Sequence, residues 1–219
     1  MSPCCPVACD TGSDRCLTDA GGDSHDVVVI VPSDAAAEHA LIARLKQRIT
    51  VAPLDQDVGR ASPLPSPASA AAVRATEAAC GIALPRLLTQ LYREIANGGF
   101  GPAYGLLGVE GGHRDDGRRT VWRWRARRPA ALLAICHWGC GIYSLVDASA
   151  PDARMWGYDP NPGPTGDDAL FPQEYGLAQW LARWLDGALH QPWLVEDPLT
   201  GRWRGATDDE FVAALSVDP

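Results

Sequence analysis

The sequence contains no long apolar run and no excess of positive charge. No stretch approaches the roughly 20 apolar residues that a helix needs to span a bilayer, and Val27–Val31 is much too short. The first residues also lack the basic start and long apolar run of a secretory signal peptide. The 19 Lys and Arg residues face 27 Asp and Glu residues, giving a net charge of −8, which disfavours general binding to nucleic acids or anionic membranes. We therefore expect a cytoplasmic protein that binds neither.

Signatures of catalysis are also missing. Gly98–Gly101 is rich in glycine, but it follows a predicted helix rather than a strand, and no Lys-Ser or Lys-Thr comes after it, which excludes a phosphate-binding loop. Cys136 and His137 could form a nucleophile and its base, or Cys136 and Cys140 could share a metal. Adjacent residues on a strand point to opposite faces, so the first pair should not meet, and we interpret both cysteines as buried apolar residues. We expect no catalytic residue, no cofactor and no metal.

The seven cysteines do not indicate a disulfide framework, because their number is odd. Four of them lie in a segment rich in Gly, Asp and Ser, residues 1–32, together with His25. Their spacing lacks the paired C-x-x-C of a zinc site. We interpret this segment as a mobile tail, with metal binding as the alternative. The four residues are Cys4, Cys5, Cys9 and Cys16.

Three helices are predicted in the first half of the chain from the period of apolar residues. The first runs from Ser33 to about Thr50, and the second from Ala68 to Cys80, where Gly81 ends it. The third starts at Pro85 and ends at Asn97-Gly98-Gly99, because Asn and Gly tolerate the left-handed conformation that closes a helix. Its buried stripe is Leu87, Leu88, Leu91, Tyr92 and Ile95. An apolar strand is expected to follow over residues 100–109.

The second half of the chain predicts a sheet and one more long helix. Strands are expected over Leu132–Trp138, Gly141–Asp147 and Arg154–Tyr158. Leu177–Leu185 has the clearest amphipathic helical period, and a short helix is expected over Asp208–Leu215. The predicted fold class is α+β, with N-terminal helices packed on a mainly antiparallel sheet and a C-terminal covering helix. We place the domain at residues 33–187, followed by an extension over residues 188–219.

Residues 113–128 contain seven arginines and only two aspartates. The order Trp122, Arg123, Trp124, Arg125 would place both tryptophans on one face of a strand and both arginines on the other. One interpretation is a nucleic-acid or partner surface with interleaved arginines and aromatics. The interpretation we favour is a half-buried edge strand with solvated arginines, because the chain as a whole is acidic.

Several short motifs, in this order and spacing, resemble the SUKH superfamily, which includes the Smi/Knr-type regulators of fungal cell-wall synthesis. The resemblance covers roughly Ser33–Gly187 and leaves the Arg-rich segment unaligned. The residues that carry it are Pro67–Ser69, Glu77, Gly81, Leu84-Pro85, Asn97-Gly98-Gly99, Gly139-Cys140-Gly141, Asp147, and Phe171-Pro172 before the helix Leu177–Leu185.

The resemblance implies an α+β interaction domain without catalysis. Many bacterial members look like immunity proteins that neutralise a cognate toxin, often a nuclease or deaminase, and others are regulatory modules. An acidic chain suits a basic toxin, because opposite charges accelerate docking. We predict a protein-binding surface around the last strand and its turn. Its residues would be Asp147, Trp156, Tyr158, Asp159, Asp167, Asp168 and Glu174. The alternative is a cytoplasmic regulatory module that uses Arg118–Arg128. The sequence leaves the oligomeric state open.

Overall fold

Five antiparallel strands form the central sheet in the computed structural model, which describes residues 35–54 and 63–215. The predicted N-terminal tail, including its four cysteines and His25, lies outside the described residues. The sheet order is β1-β2-β3-β4-β5, so consecutive strands are neighbours throughout. The strands are β1 (Trp122–Arg123), β2 (Leu132–Gly139), β3 (Ile142–Asp147), β4 (Arg154–Tyr158) and β5 (Leu170–Gly176).

The helices have bounds close to those predicted. They are α1 (Ala35–Val51), α2 (Ala70–Cys80), α3 (Arg86–Glu94), α4 (Leu177–Leu185) and α5 (Asp208–Leu215). Ser69 caps α2 by accepting a hydrogen bond from the Ala72 N–H at 3.1 Å, and Gly81 closes it at φ 65°. Among the described residues, no helix combines the length and the apolar character required to cross a membrane.

The main core lies between the helices and one face of the sheet, which we call the inner face. Ile135 on β2, Val146 on β3 and Met155 on β4 point into it and are fully buried. The helices contribute the α3 stripe and the indoles of Trp180 and Trp184 on α4. The predicted α+β class, with helices on a mainly antiparallel sheet and a covering helix near the C-terminus, is therefore confirmed.

The predicted strand over residues 100–109 is wrong. This stretch forms a loop whose only pairings with described residues are isolated bridges, such as the one between Leu106 and Cys136. Gly98, Gly99, Gly101 and Gly105 all have positive φ, so the chain turns repeatedly and cannot extend. Its aliphatic side chains and Phe100 are buried and fill the core from a loop, whereas Tyr104 is 39% exposed.

Asn97 holds this loop together from the end of α3. Its side chain accepts a hydrogen bond from the Val109 N–H at 2.8 Å and donates one to the Glu110 carbonyl at 3.2 Å. Its backbone carbonyl accepts from His113. A Cβ at Gly108 would overlap Asn97, so the helix end and the loop are locked together by close backbone packing.

Two elements at the C-terminal side were not predicted from the sequence. The strand β5 follows a short 3-10 helix, Gly166–Ala169, and a separate hairpin is formed by β6 (Leu194–Glu196) and β7 (Trp203–Gly205). The hairpin packs against β5, because the Phe171 ring lies directly over Gly205. The boundary that we placed after residue 187 stays a prediction.

Candidate functional site: the outer face of the sheet

The face of the sheet that points away from the helices carries a second apolar cluster, and we call this face the outer face. Its centre is formed by Leu132, Ala134, Tyr143 and Leu145, which are buried although none of the described helices covers them. What covers them is a set of partly exposed side chains around the rim. These are Trp122, Trp124, Ala126, Trp156, Tyr158 and Leu170.

The aromatic rings of the outer face are in mutual contact. The Trp124 ring centroid lies 4.5 Å from that of Tyr158 and 5.8 Å from that of Tyr143. Trp122 meets Tyr143 edge-on at 5.1 Å. Such pairs stabilise one another beyond their buried area, so the rings form a firm surface. The alternation predicted for residues 122–125 is confirmed, since both tryptophans join this cluster and both arginines are exposed.

A polar network borders the aromatic cluster. Arg119 donates from Nε to Asp115 Oδ2 at 3.0 Å and from its terminal nitrogen to the Tyr143 hydroxyl oxygen at 2.6 Å. The Tyr143 hydroxyl donates in turn to Asp115 Oδ2 at 3.1 Å. Burial and the negative charge of Asp115 raise the pKa of Tyr143 to about 12. The phenol therefore stays protonated at neutral pH and can keep donating.

Two of the seven predicted binding residues lie on the outer face, because Trp156 and Tyr158 pack on its buried centre. Glu174 is exposed on the neighbouring edge strand β5, where the register with β4 is irregular. It lines the groove between β5 and the C-terminal hairpin. The structure therefore brings Trp156 and Tyr158 to one surface, with Glu174 at the edge of the sheet.

Asp147 and Asp159 are engaged within the chain. Asp147, at the end of β3, accepts hydrogen bonds from the N–H and the hydroxyl of Ser149. Asp159 is 2% exposed, and its two carboxylate oxygens accept from Asn161 and from the Leu194 N–H. The second contact ties the turn after β4 to the C-terminal hairpin. We leave both residues out of the proposed surface.

Asp167 and Asp168 lie in the 3-10 helix that leads into β5. Asp167 accepts a hydrogen bond from the Arg127 N–H at 3.0 Å, which joins it to the Arg-rich segment across a groove of about 560 Å3. Asp168 is exposed. Neither Asp168 nor Glu174 forms a salt bridge with another described residue, so their charges are available to a partner.

The cysteine and histidine residues of the β2–β3 hairpin do not come together as a site. The Cys136 thiol is buried and lies 3.5 Å from the Pro102 carbonyl oxygen, whereas the His137 ring lies against Tyr143 at 4.8 Å. Cys140 is exposed in the turn, where it and Gly141 have φ of 49° and 78°. Within residues 35–54 and 63–215, no group of three or more His, Cys, Asp or Glu side chains is placed to hold a metal ion.

Sequence reasoning did not assign the buried centre of the outer face. Its four residues were predicted only as parts of buried strands, and Leu170 was not assigned to a strand at all. The alternation of Trp122 and Trp124 was the available signal, because it indicated that one face of an edge strand is aromatic. The ring partners of these tryptophans, Tyr143 and Tyr158, come from positions 19 or more residues away in the chain and could not be paired from spacing.

Comparison with known proteins gives no match: no protein-family model fits the chain, and no curated protein or solved structure is significantly similar to it.

Proposed function

We propose that the chain is a non-catalytic protein-binding domain that neutralises a bacterial toxin domain, of nuclease or deaminase type, by covering it. The binding surface is the outer face of the sheet together with the exposed carboxylates at its margin, Asp168 and Glu174, which we call the acidic rim. The resemblance to the SUKH superfamily supplies the class of partner. The contacts of the outer face support the mode of binding.

The observation that carries the proposal is the partly exposed aromatic cluster on the outer face. Tryptophan and tyrosine are enriched in protein interfaces and dominate their binding energy. The rings of Trp124 and Tyr158 contact each other, and Trp156 packs on the same buried cluster. The opposite face of the sheet is covered by the main core. A partner that covers them gains apolar contact without having to order flexible side chains, which lowers the entropic cost of binding.

The charges at the rim suit a basic partner. Asp168 and Glu174 are exposed and form no ion pair inside the described part of the chain. The whole chain carries a net charge of −8. An enzyme that acts on nucleic acids presents a basic substrate-binding surface, so opposite charges would accelerate docking over its active site.

A regulatory interaction module of the cell-wall-synthesis type is the second candidate function. The exposed arginines of residues 113–128 favour it, because they provide a surface for a partner of opposite charge. In that case the acidic rim residues would be dispensable for recruitment.

The test is co-expression with a toxin domain encoded beside this gene, using growth and the dissociation constant of the purified pair as readouts. We expect the wild-type chain to restore growth. Replacing Asp168→Lys and Glu174→Lys together should weaken binding by at least ~10-fold, because two attractions become repulsions. The matched control is Glu196→Lys with Asp209→Lys, which makes the same change in net charge on the C-terminal hairpin and α5.

Two outcomes would contradict the proposal. One is growth in the presence of toxin that is no better with the wild-type chain than without it. The other is an equal loss of affinity in both charge-reversal variants, which would mean that net charge, not the outer face, governs binding.

A further inference from the structure

A groove runs beside β1, next to the outer face, with which it shares Trp122 and Trp124. Its arginines belong to the segment that the second candidate function uses, so the inference below deepens that candidate. The upper part of the groove has a volume of about 510 Å3 and lies between α2 and residues 110–122. Its lower part, of about 680 Å3, continues along residues 121–126 to the C-terminal end of α2. The two parts share Ala79, Val121 and Trp122. We call the whole the β1 groove.

The walls of the β1 groove differ in chemistry. The α2 wall is built from the small residues Ala75, Ala78 and Ala79, which leave room for a ligand backbone. The opposite wall carries an unusual density of positive charge, balanced in the lining only by Glu110. Its arginines are Arg114, Arg118, Arg119, Arg123 and Arg125.

Most of these guanidinium groups have no carboxylate partner. Arg114, Arg118 and Arg125 are exposed, and none forms a salt bridge with a residue that the structure describes. Arg123 donates to the Ala130 carbonyl at 3.1 Å, which satisfies one donor without neutralising the charge. A chain with eight more acidic than basic residues thus keeps unpaired arginines together on one wall.

Arg119 is fixed in position at the centre of the groove. Its guanidinium lies 4.2 Å from the centroid of the Trp122 ring, and it is anchored by Asp115 and Tyr143, as described above. Its side chain is nevertheless 49% exposed. A stacked and hydrogen-bonded arginine loses little freedom when it binds an oxyanion, and the guanidinium hydrogens that Asp115 and Tyr143 do not accept can donate to a carboxylate.

The edge of β1 is not available for pairing with an added strand. The Cys80 thiol, at the end of α2, lies 4.0 Å from the Val121 carbonyl oxygen, and the Arg123 backbone also contacts this thiol. Recognition in the groove therefore has to use the side chains of arginine and tryptophan.

We infer that the β1 groove binds an acidic, extended segment of a protein. Carboxylates at intervals along such a segment can pair with Arg114, Arg118 and Arg119 in turn. A polynucleotide fits less well, because a long polyanion would also meet the negative charge of the rest of the molecule. This inference does not depend on the proposed toxin partner.

The experiment measures fluorescence anisotropy of three labelled probes with the full-length chain. The probes are a short glutamate-rich peptide, the same peptide with glutamine in place of glutamate, and single-stranded oligothymidylate. We expect the glutamate-rich peptide to bind most tightly and to weaken as salt is added. Replacing Arg114→Glu and Arg118→Glu together should weaken its binding by ~10-fold or more.

The control is Arg93→Glu with Arg202→Glu, which changes the net charge equally at exposed positions outside the groove. Unaltered peptide binding in this control supports the inference, and an equal loss overturns it. Tighter binding of oligothymidylate than of the glutamate-rich peptide would also overturn it, in favour of a nucleic-acid site. Because neither arginine lies on the outer face, toxin neutralisation by the Arg114→Glu/Arg118→Glu variant should be unchanged, so the two proposals can fail separately.

Discussion

The two faces of the central sheet are built from alternate residues of the same strands, but they differ in what covers them. The inner face is sealed by helices, and its side chains, such as Ile135 and Val146, have no exposed area. In the described part of the chain, the outer face is covered only by partly exposed side chains at its margin, most of them aromatic. Leu145 is as completely buried as Val146 beside it, yet what buries it is Trp124, Trp156 and their neighbours.

If the proposed function holds, this difference predicts that stability and partner binding depend on different faces of one sheet. A side chain on the inner face contributes through packing that no partner can reach. A partly exposed side chain at the margin of the outer face, such as Trp124, packs on the buried centre with one side and contacts solvent with the other. Substitutions on the two faces should therefore divide into those that change the free energy of unfolding and those that mainly change binding.

The largest effect is expected on the inner face. Ile135→Ala removes a fully buried side chain from the centre of β2 and should lower the free energy of unfolding by about 2–5 kcal/mol. Urea denaturation measures it, with Ile135→Val as the control at about 0.5–1.5 kcal/mol. A loss for Ile135→Ala no greater than that of the valine control would contradict the comparison.

Asn97→Ala should have the next largest effect on stability. The variant leaves the buried Val109 N–H without its acceptor and the Glu110 carbonyl without its side-chain donor. An unsatisfied buried group costs about 1–3 kcal/mol. Amide hydrogen exchange should show faster exchange at residues 106–113 than in the wild-type chain, and unchanged exchange in β3 and β4. Equally faster exchange in residues 106–113, β3 and β4 would mean that Asn97 does not stabilise this loop locally.

Tyr158→Ala should cost less stability and more affinity. It removes the ring contact with Trp124 at 4.5 Å, worth about 0.5–1.5 kcal/mol in the free energy of unfolding. Binding of the proposed toxin partner should weaken by ~10-fold or more. Isothermal titration and urea denaturation on the same sample separate the two quantities. If the variant loses more free energy of unfolding than free energy of binding, the outer face is a second core and not a recognition surface.

The smallest effect concerns the titration of Tyr143. Its pKa is raised to about 12, first by burial and then by the charge of Asp115. The folded chain favours the neutral phenol of Tyr143. The contribution of this protonated form to the free energy of unfolding is therefore fully present below the unfolded pKa of about 10. It is lost as the pH rises through about 12. Asp115→Asn should lower the pKa of Tyr143 only in part, because burial remains.

Ring chemical shifts of Tyr143, followed by NMR against pH, measure this change. Tyr158→Ala provides the comparison, since it leaves Asp115 in place. An unchanged pKa in Asp115→Asn would show that the charge of Asp115 does not reach the phenol.

Most helices could be predicted because their signals are local. The stripe of α3 and the terminating Gly81 both depend on spacing within a few residues, although the cap at Ser69 shows that α2 begins two residues later than predicted. The strand β4 was predicted with its observed bounds. By contrast, β5 contains Pro172 and the polar pair Gln173 and Glu174, and this composition does not predict a strand. Its extended conformation is stabilised by pairing with β4.

The candidate site was harder to predict because it is assembled across long separations. Trp156 and Tyr158 could be named from their strand, but the contact of Tyr158 with Trp124 crosses more than 30 positions in the sequence. The role of Asp159 depends on the Leu194 N–H, 35 residues away. A turn-forming aspartate and one that fastens a distant hairpin look the same in the sequence, and only the fold distinguishes them.

Both edge strands of the sheet are protected. At one edge, β1 is only two residues long, and the backbone on its unpaired side contacts the Cys80 thiol. At the other edge, β5 contains Pro172 and packs against the C-terminal hairpin. A sheet without an open edge offers no template to the strands of another molecule. Within the described part of the chain, this arrangement disfavours edge-to-edge pairing between copies, so we expect no fibrils to form by strand addition.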